Sequence, residues 1–190
     1  MLLHQLAPEV LEALENLHSD FEEERLFKKW CLDFVRTETH FASRHNPKGH
    51  LTASAWVLND VLDQALLIHH RGLDKWFQPG GHIEAEDVSL LAAAQRELQE
   101  ECGIAEAIPL HPSIFDLDIH LIPAKGELPE HLHLDLRFAF RVPPEAVENP
   151  DFTEIRDLRW FPIAELLQRP LQQSVRRMVL KTAGQNGRRI

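Results

Sequence analysis

Apolar and polar residues alternate with a period of two over residues 51–58, 114–122 and 131–141, the pattern of strands with one face buried. The first of these runs stops at Asn59-Asp60 and a second strand is expected over 64–70, so the two should form a hairpin. A short strand over 154–161 leads through Pro162, a residue suited to a first helical turn, into a helix over 163–168. A last helix is expected over 171–182, ending at Gly184. Elsewhere the period lengthens. Leu91, Ala94, Leu98 and Cys102 recur at spacings of three and four, an apolar stripe that can lie on a sheet. No Gly or Pro interrupts residues 88–102, Asp87 is the expected N-cap, and Gly103 stands where a left-handed C-cap is commonest. Before the strands, Leu11, Leu14 and Leu17, then Phe21, Leu26, Phe27, Trp30, Leu32 and Phe34, predict two helices over 8–36, with Ser19 and Glu22 in a capping-box pattern. Residues 41–49 are polar and rich in turn formers. The expected organisation is an N-terminal helical extension over 1–45 and one domain over 46–190.

The helix over 88–102 has a second face. Glu97, Glu100 and Glu101 lie three and four residues apart, so their carboxylates gather within reach of one point. Two like charges ~4 Å apart repel by about 4 kcal/mol at an effective dielectric of about 20. A solvated acidic helix would interleave lysines, and none occurs between Asp87 and Gly103. Arg96 can pair with one carboxylate, which leaves negative charge for a cation to neutralise. Hard oxygen donors without Cys or His select Mg²⁺ or Mn²⁺ over Zn²⁺, and Mg²⁺ keeps positions open for phosphates and water. The implied chemistry is attack at phosphorus. Just ahead, Pro79-Gly80-Gly81 forms a turn in which glycines permit close backbone approach.

These residues resemble the Nudix box of the Nudix hydrolases. Arg96, Glu97, Leu98, Glu100, Glu101, Gly103 and Ile104 match its second half position for position. The first half departs from it. Counting from Gly81, the acidic position falls on Asp87, where the family usually has Glu, and eight residues rather than seven separate it from Arg96. The resemblance implies an α/β fold, a Nudix-type α/β/α sandwich with a mixed β-sheet, here with an N-terminal helical extension. It also implies a pyrophosphohydrolase that cleaves a phosphoanhydride in a nucleoside diphosphate linked to a further group X, using Mg²⁺ or Mn²⁺. By that resemblance Glu97, Glu100 and Glu101 hold the cations, the Gly80 carbonyl adds a ligand, Arg96 orients Glu97 or Glu100, and a glutamate outside the box completes the cluster. Glu154 is the expected residue, with Glu127 and Glu130 behind it. The alternative is a ligand-sensing or binding module of the same fold without catalysis. An isomerase of the superfamily would need a nucleophilic thiol, a role that Cys102 on the apolar stripe fits poorly.

Composition narrows the partners. A net charge of −10 over 190 residues argues against stable nucleic-acid binding, which needs a basic stripe. Two cysteines, Cys31 and Cys102, make no disulfide framework. No run reaches the ~18 apolar residues of a membrane span, the start lacks a basic leader pattern, and the cytoplasm is the expected address. The N-terminal helices should pack on the body or on a second copy, which would make a homodimer. Alternation over 131–141 puts His131, His133, Asp135 and Arg137 on one side of a strand. With His120 they form an expected substrate-facing surface for a small diphosphate or nucleotide, and solvent is the alternative. Glu84 is grouped with that surface, contact with a second metal or capping of its turn being the other readings. His-x-His with His120 or Asp135 nearby is also a spacing that binds Zn²⁺, although strand alternation produces it freely. ADP-ribose, sugar nucleotides, dinucleoside polyphosphates, damaged nucleoside triphosphates and non-nucleotide diphosphates all remain open as substrates.

Overall fold

A computed structural model describes residues 6–72, 74–124, 126, 129–146, 150–153 and 155–186. The expected elements form. Two helices, α1 (Ala7–Glu15) and α2 (Glu22–Thr37), precede strands β1 (Gly49–Leu58), β2 (Gln64–His70), β3 (Lys75–Phe77) and β4 (Gly80–His82). Helix α3 (Leu90–Cys102) follows, then β5 (Ile108–Pro109), β6 (Asp116–Ile122), β7 (His131–Arg141), β8 (Ile155–Pro162), α4 (Ile163–Leu166) and α5 (Gln173–Asn186). The strands belong to one mixed sheet with the order β3-β2-β1-β7-β5, in which β4 pairs with β1, β6 with β7 and β8 with β2. Helices flank it, so the architecture is the expected α/β one. No described helix is long and apolar enough to cross a membrane.

The chain divides into two compact units, and β1, β7 and α3 contribute to both. The first comprises residues 1–54, 81–94 and 112–138. Here β6 and β7 pair antiparallel, with His120 opposite His133, Asp118 opposite Asp135 and Asp116 opposite Arg137. The N-terminal helices are tied into this unit. The buried Glu24 of α2 accepts a hydrogen bond from the Leu117 backbone of β6 at 2.8 Å, and Glu9 of α1 accepts one from the Leu90 backbone at 3.0 Å.

The second unit comprises residues 55–80, 95–111 and 139–190. The predicted hairpin is present: β1 and β2 are antiparallel, with Val57 opposite Leu66 and Leu58 opposite Ala65. Asn59 closes its turn by accepting from the Asp63 and Gln64 backbones through one side-chain oxygen. Strand β2 also pairs antiparallel with β3 and with β8. Trp56 is fully buried in the core and donates from Nε1 to Thr182 Oγ1 at 2.9 Å.

Three local expectations are corrected. Helix α3 begins at Leu90, and its N-terminal side-chain acceptor is Ser89, whose Oγ takes the Ala92 N–H at 3.0 Å. Asp87 instead accepts from the Glu84 backbone at 2.8 Å and closes the preceding turn, so the residue added relative to the family pattern falls in that turn. Ser19 does not cap α2. Its Oγ accepts from the Phe21 backbone, and the N-cap residue Phe21 makes no side-chain cap. Helix α5 continues past Gly184 to Asn186. Gly103, at φ +70°, ends α3 in the left-handed conformation the sequence indicates.

Candidate active site

In the second unit the acidic face of α3 takes shape beside the glycine turn. Pro79 accepts the Ala55 N–H at 2.9 Å, which fixes the turn to β1. Gly80 has φ +156°, in the region that favours glycine, and its N–H donates to Glu101 Oε2 at 2.8 Å. Glu101 is nearly buried, at 6% exposure, and this bond holds its carboxylate against the turn. Arg96 Nη1 donates to Glu97 Oε1 at 2.9 Å and to Glu100 Oε2 at 3.0 Å. One guanidinium nitrogen therefore gathers two of the three box carboxylates, one more than the sequence reading assigned it. Cys102 is fully buried, and burial followed by the charge of Glu101 pushes its thiol well above the ordinary range. It does not act as a nucleophile.

In the first unit the predicted polar face is real but divided by burial. Arg137, 1% exposed, donates from Nε to Asp135 Oδ2 at 2.7 Å, from Nη1 to Asp116 Oδ2 at 3.2 Å and from Nη2 to Asp118 Oδ2 at 3.3 Å. Asp135 Oδ1 accepts from Thr52 Oγ1 at 3.1 Å and Ser54 Oγ at 2.7 Å. Burial works against the guanidinium charge, yet Asp135, Asp118 and Asp116 outweigh it and hold Arg137 protonated more firmly than usual. Asp135 and Arg137 thus lie in a buried ionic network that pins β6 and β7 to β1. Glu84, about half exposed, faces Arg44 at 3.8 Å.

The histidines gather next to this network. His133 has His50, His82, His120 and His131 around it, with ring centroids 4.6 to 5.5 Å away. Burial first, and then the charges of neighbouring histidines, push His133 down to about 2 and His50 down to about 3, so both rings are neutral. The sequence reading anticipated His120, His131 and His133 and missed His50 and His82. Each of those follows a glycine, Gly49 and Gly81, the one local mark they carry. Glu154 and Glu127 lie outside the described residues, and Glu130 is exposed.

The NUDIX domain family model matches residues 48–182. This chain belongs to the Nudix family. Among relatives, the phosphatase NudJ of Escherichia coli strain K12 is 37% identical over 95 residues, 49% of this chain and 55% of that protein, and NudJ of Shigella flexneri matches equally. The Nudix chain thus spans about half the length of the curated relatives it matches. Among solved structures, an Ap4A hydrolase binary complex from C. elegans shares the fold at TM-score 0.53 and 16% identity, covering 72% of this chain and 97% of that one. The MutT protein of Methanosarcina mazei Go1 does so at TM-score 0.51 and 19% identity, covering 73% and 96%. The NUDIX domain of Shewanella oneidensis NrtR, complexed with ADP ribose, does so at TM-score 0.50 and 20% identity, covering 81% and 96%.

Nudix proteins typically need a divalent metal, and the box residues fit one. The side chains of Glu97, Glu100 and Glu101 and the carbonyl of Gly80 are oxygen acceptors, a donor set that suits Mg²⁺ and Mn²⁺. Glu101 is turned to the Gly80 peptide, whose N–H it accepts at 2.8 Å.

Proposed function

We propose that this chain is a Mg²⁺- or Mn²⁺-dependent cytoplasmic hydrolase that cleaves a phosphoanhydride bond in a nucleoside diphosphate linked to another group X. The observation that carries the reading is the arrangement of α3: Arg96 draws Glu97 and Glu100 together while Glu101 is fastened to the Gly80 turn. Four groups are thereby held in place by hydrogen bonds, the preorganisation that positioned chemistry requires. Glu97, Glu100, Glu101 and the Gly80 carbonyl would hold the cations, and Glu154 remains the candidate for a further donor. When bound, the cations supply charge neutralisation at the diphosphate oxygens and lower the pKa of water. Arg96 fixes the direction of Glu97 and Glu100, and a carboxylate of this set accepts the proton of the attacking water. Of the residues assigned from sequence to a substrate surface, Glu84 and His120 keep that role because their side chains reach solvent. Asp135 and Arg137, being buried, hold the strands.

The test is a panel of nucleotide diphosphates incubated with Mg²⁺ or Mn²⁺ and scored for released phosphate or monophosphate. The wild-type chain should turn over at least one member. Glu100→Gln and Glu101→Gln should each lower turnover by about 100-fold or more, the effect of losing ~3 kcal/mol of transition-state stabilisation, with folding intact by circular dichroism. Near-full activity in either variant would overturn the assignment. No turnover across the panel, together with retained nucleotide binding, would turn the reading to a ligand-sensing module.

A further inference from the structure

We propose that His50, His82 and His133 form a second metal site, distinct in chemistry from the box glutamates, that binds a Zn²⁺-class ion. One ring nitrogen from each lies within 4.8 Å of the others. Tetrahedral Zn²⁺ with bonds of ~2.0–2.1 Å to nitrogen puts its ligand atoms about 3.3 Å apart, so nitrogens at the 4.8 Å limit would have to close by about 1.5 Å. Side-chain rotation covers that distance.

Burial and hydrogen bonding both ask for an occupant. His50 is 1% exposed, and neither of its ring nitrogens has a hydrogen-bond partner; His133 Nε2 is buried and unpartnered as well. An unsatisfied buried polar atom costs about 1–3 kcal/mol, so three in one cluster is a large penalty without a ligand. A neutral imidazole carries one N–H and one lone pair, so a single ion would engage one nitrogen of each ring. Neutral imidazoles present lone pairs, which suit Zn²⁺, Co²⁺ or Ni²⁺ and not Mg²⁺.

Two further histidines border the cluster. His131 holds its Nδ1 2.8 Å from the Pro129 carbonyl, so that nitrogen is the donor and Nε2 carries the lone pair. His131 stacks on His50 at 5.1 Å. Nδ1 of His120 lies 3.2 Å from Asp118 Oδ2, and its ring centroid stands 5.5 Å from that of His133. One feature opposes binding: Arg44 Nη2 donates to His82 Nδ1 at 2.9 Å. Cation and arginine compete for His82, and Arg44 is half exposed with Glu84 as a second partner at 3.8 Å.

The backbone brings these residues together by a close approach. A Cβ on Gly49 would lie 2.5 Å from the Leu132 carbonyl oxygen, so only glycine lets the start of β1 come this near β7 and set His50 between His131 and His133.

The experiment is a Co²⁺ titration of the untagged, chelator-stripped full chain, followed by visible absorption, then displacement by Zn²⁺. We expect the intense bands of four-coordinate Co²⁺ at one equivalent, abolished by Zn²⁺. His133→Gln and His82→Gln should weaken binding by more than about 100-fold, beyond the loss of an outer-shell partner. Arg44→Ala, on an exposed residue that threatens no core, should tighten it by about tenfold through loss of a like charge. The Glu100→Gln/Glu101→Gln double variant should keep the bands, which separates this site from the box. Only weak six-coordinate bands, a signal that survives both histidine substitutions, one that vanishes with the glutamates, or an Arg44→Ala protein that binds no tighter would each overturn the proposal.

Discussion

Arg137 shows how much one side chain can decide. It is fully enclosed and meets three aspartates, each approached by a different nitrogen. Deleting one partner of a buried ion pair typically costs about 3–5 kcal/mol, because the charges left behind remain desolvated. Arg137→Leu should therefore lose about that much in urea unfolding, and Arg137→Lys should rescue little, since an ammonium cannot offer three separated donors. A loss below about 1 kcal/mol for Arg137→Leu would show that the aspartates find other partners. From sequence, the alternation placed Arg137 correctly on the strand face with Asp135, yet burial of that face was illegible. A charged run on an alternating strand ordinarily faces water, and only the pairing of β6 with β7 reveals that Asp116, Asp118 and Asp135 surround one arginine.

Helix α3 is the element on which sequence reading worked best and also missed an interaction. Its stripe of Ala94, Leu98 and Cys102, its carboxylates and its Gly103 stop are local properties that spacing exposed, although Leu90 and Ala93 are buried with that stripe and Leu91 is only partly so. Its start was harder. Asp87, Ser89 and Asn-like caps compete on the same propensity, and the winner depends on where the preceding turn closes. The acceptor for the Leu90 N–H comes from α1, 81 residues away, and no local pattern announces it. Two substitutions separate these contributions. Ser89→Ala and Glu9→Ala should each destabilise the chain by about 1 kcal/mol in denaturant melts, the usual value of a helix N-terminal acceptor, with a carboxylate adding a favourable charge at the positive end of the dipole. No change for Glu9→Ala would mean that water replaces it at no cost.

Across the whole molecule the excess of acid over base, −10, raises the stakes for cations. A divalent ion that binds only the folded chain stabilises it by RT ln(1 + [L]/Kd), about 2.7 kcal/mol at a hundredfold excess over Kd. Mn²⁺ should accordingly raise the melting temperature, and the Glu100→Gln/Glu101→Gln variant should lose most of that rise; an equal rise in both would place the ion elsewhere. The legible part of the site was the part written in one stretch, residues 80 to 101. The histidine cluster was only half legible, because His50, His82 and His133 come from β1, β4 and β7, and convergence over such separations is a property of topology.

Both thiols of the chain are out of contact with water, Cys31 in α2 and Cys102 at the end of α3, and burial drives each further from its reactive anion. The native chain should consequently stay silent towards an alkylating dye and take up label only when a helix lets go. Because Cys102 adjoins Glu101, mass spectrometry of the two labelled peptides becomes a built-in clock, timing how often the box helix loosens against how often the N-terminal one does. Immediate labelling of folded protein at either position would contradict the packing described.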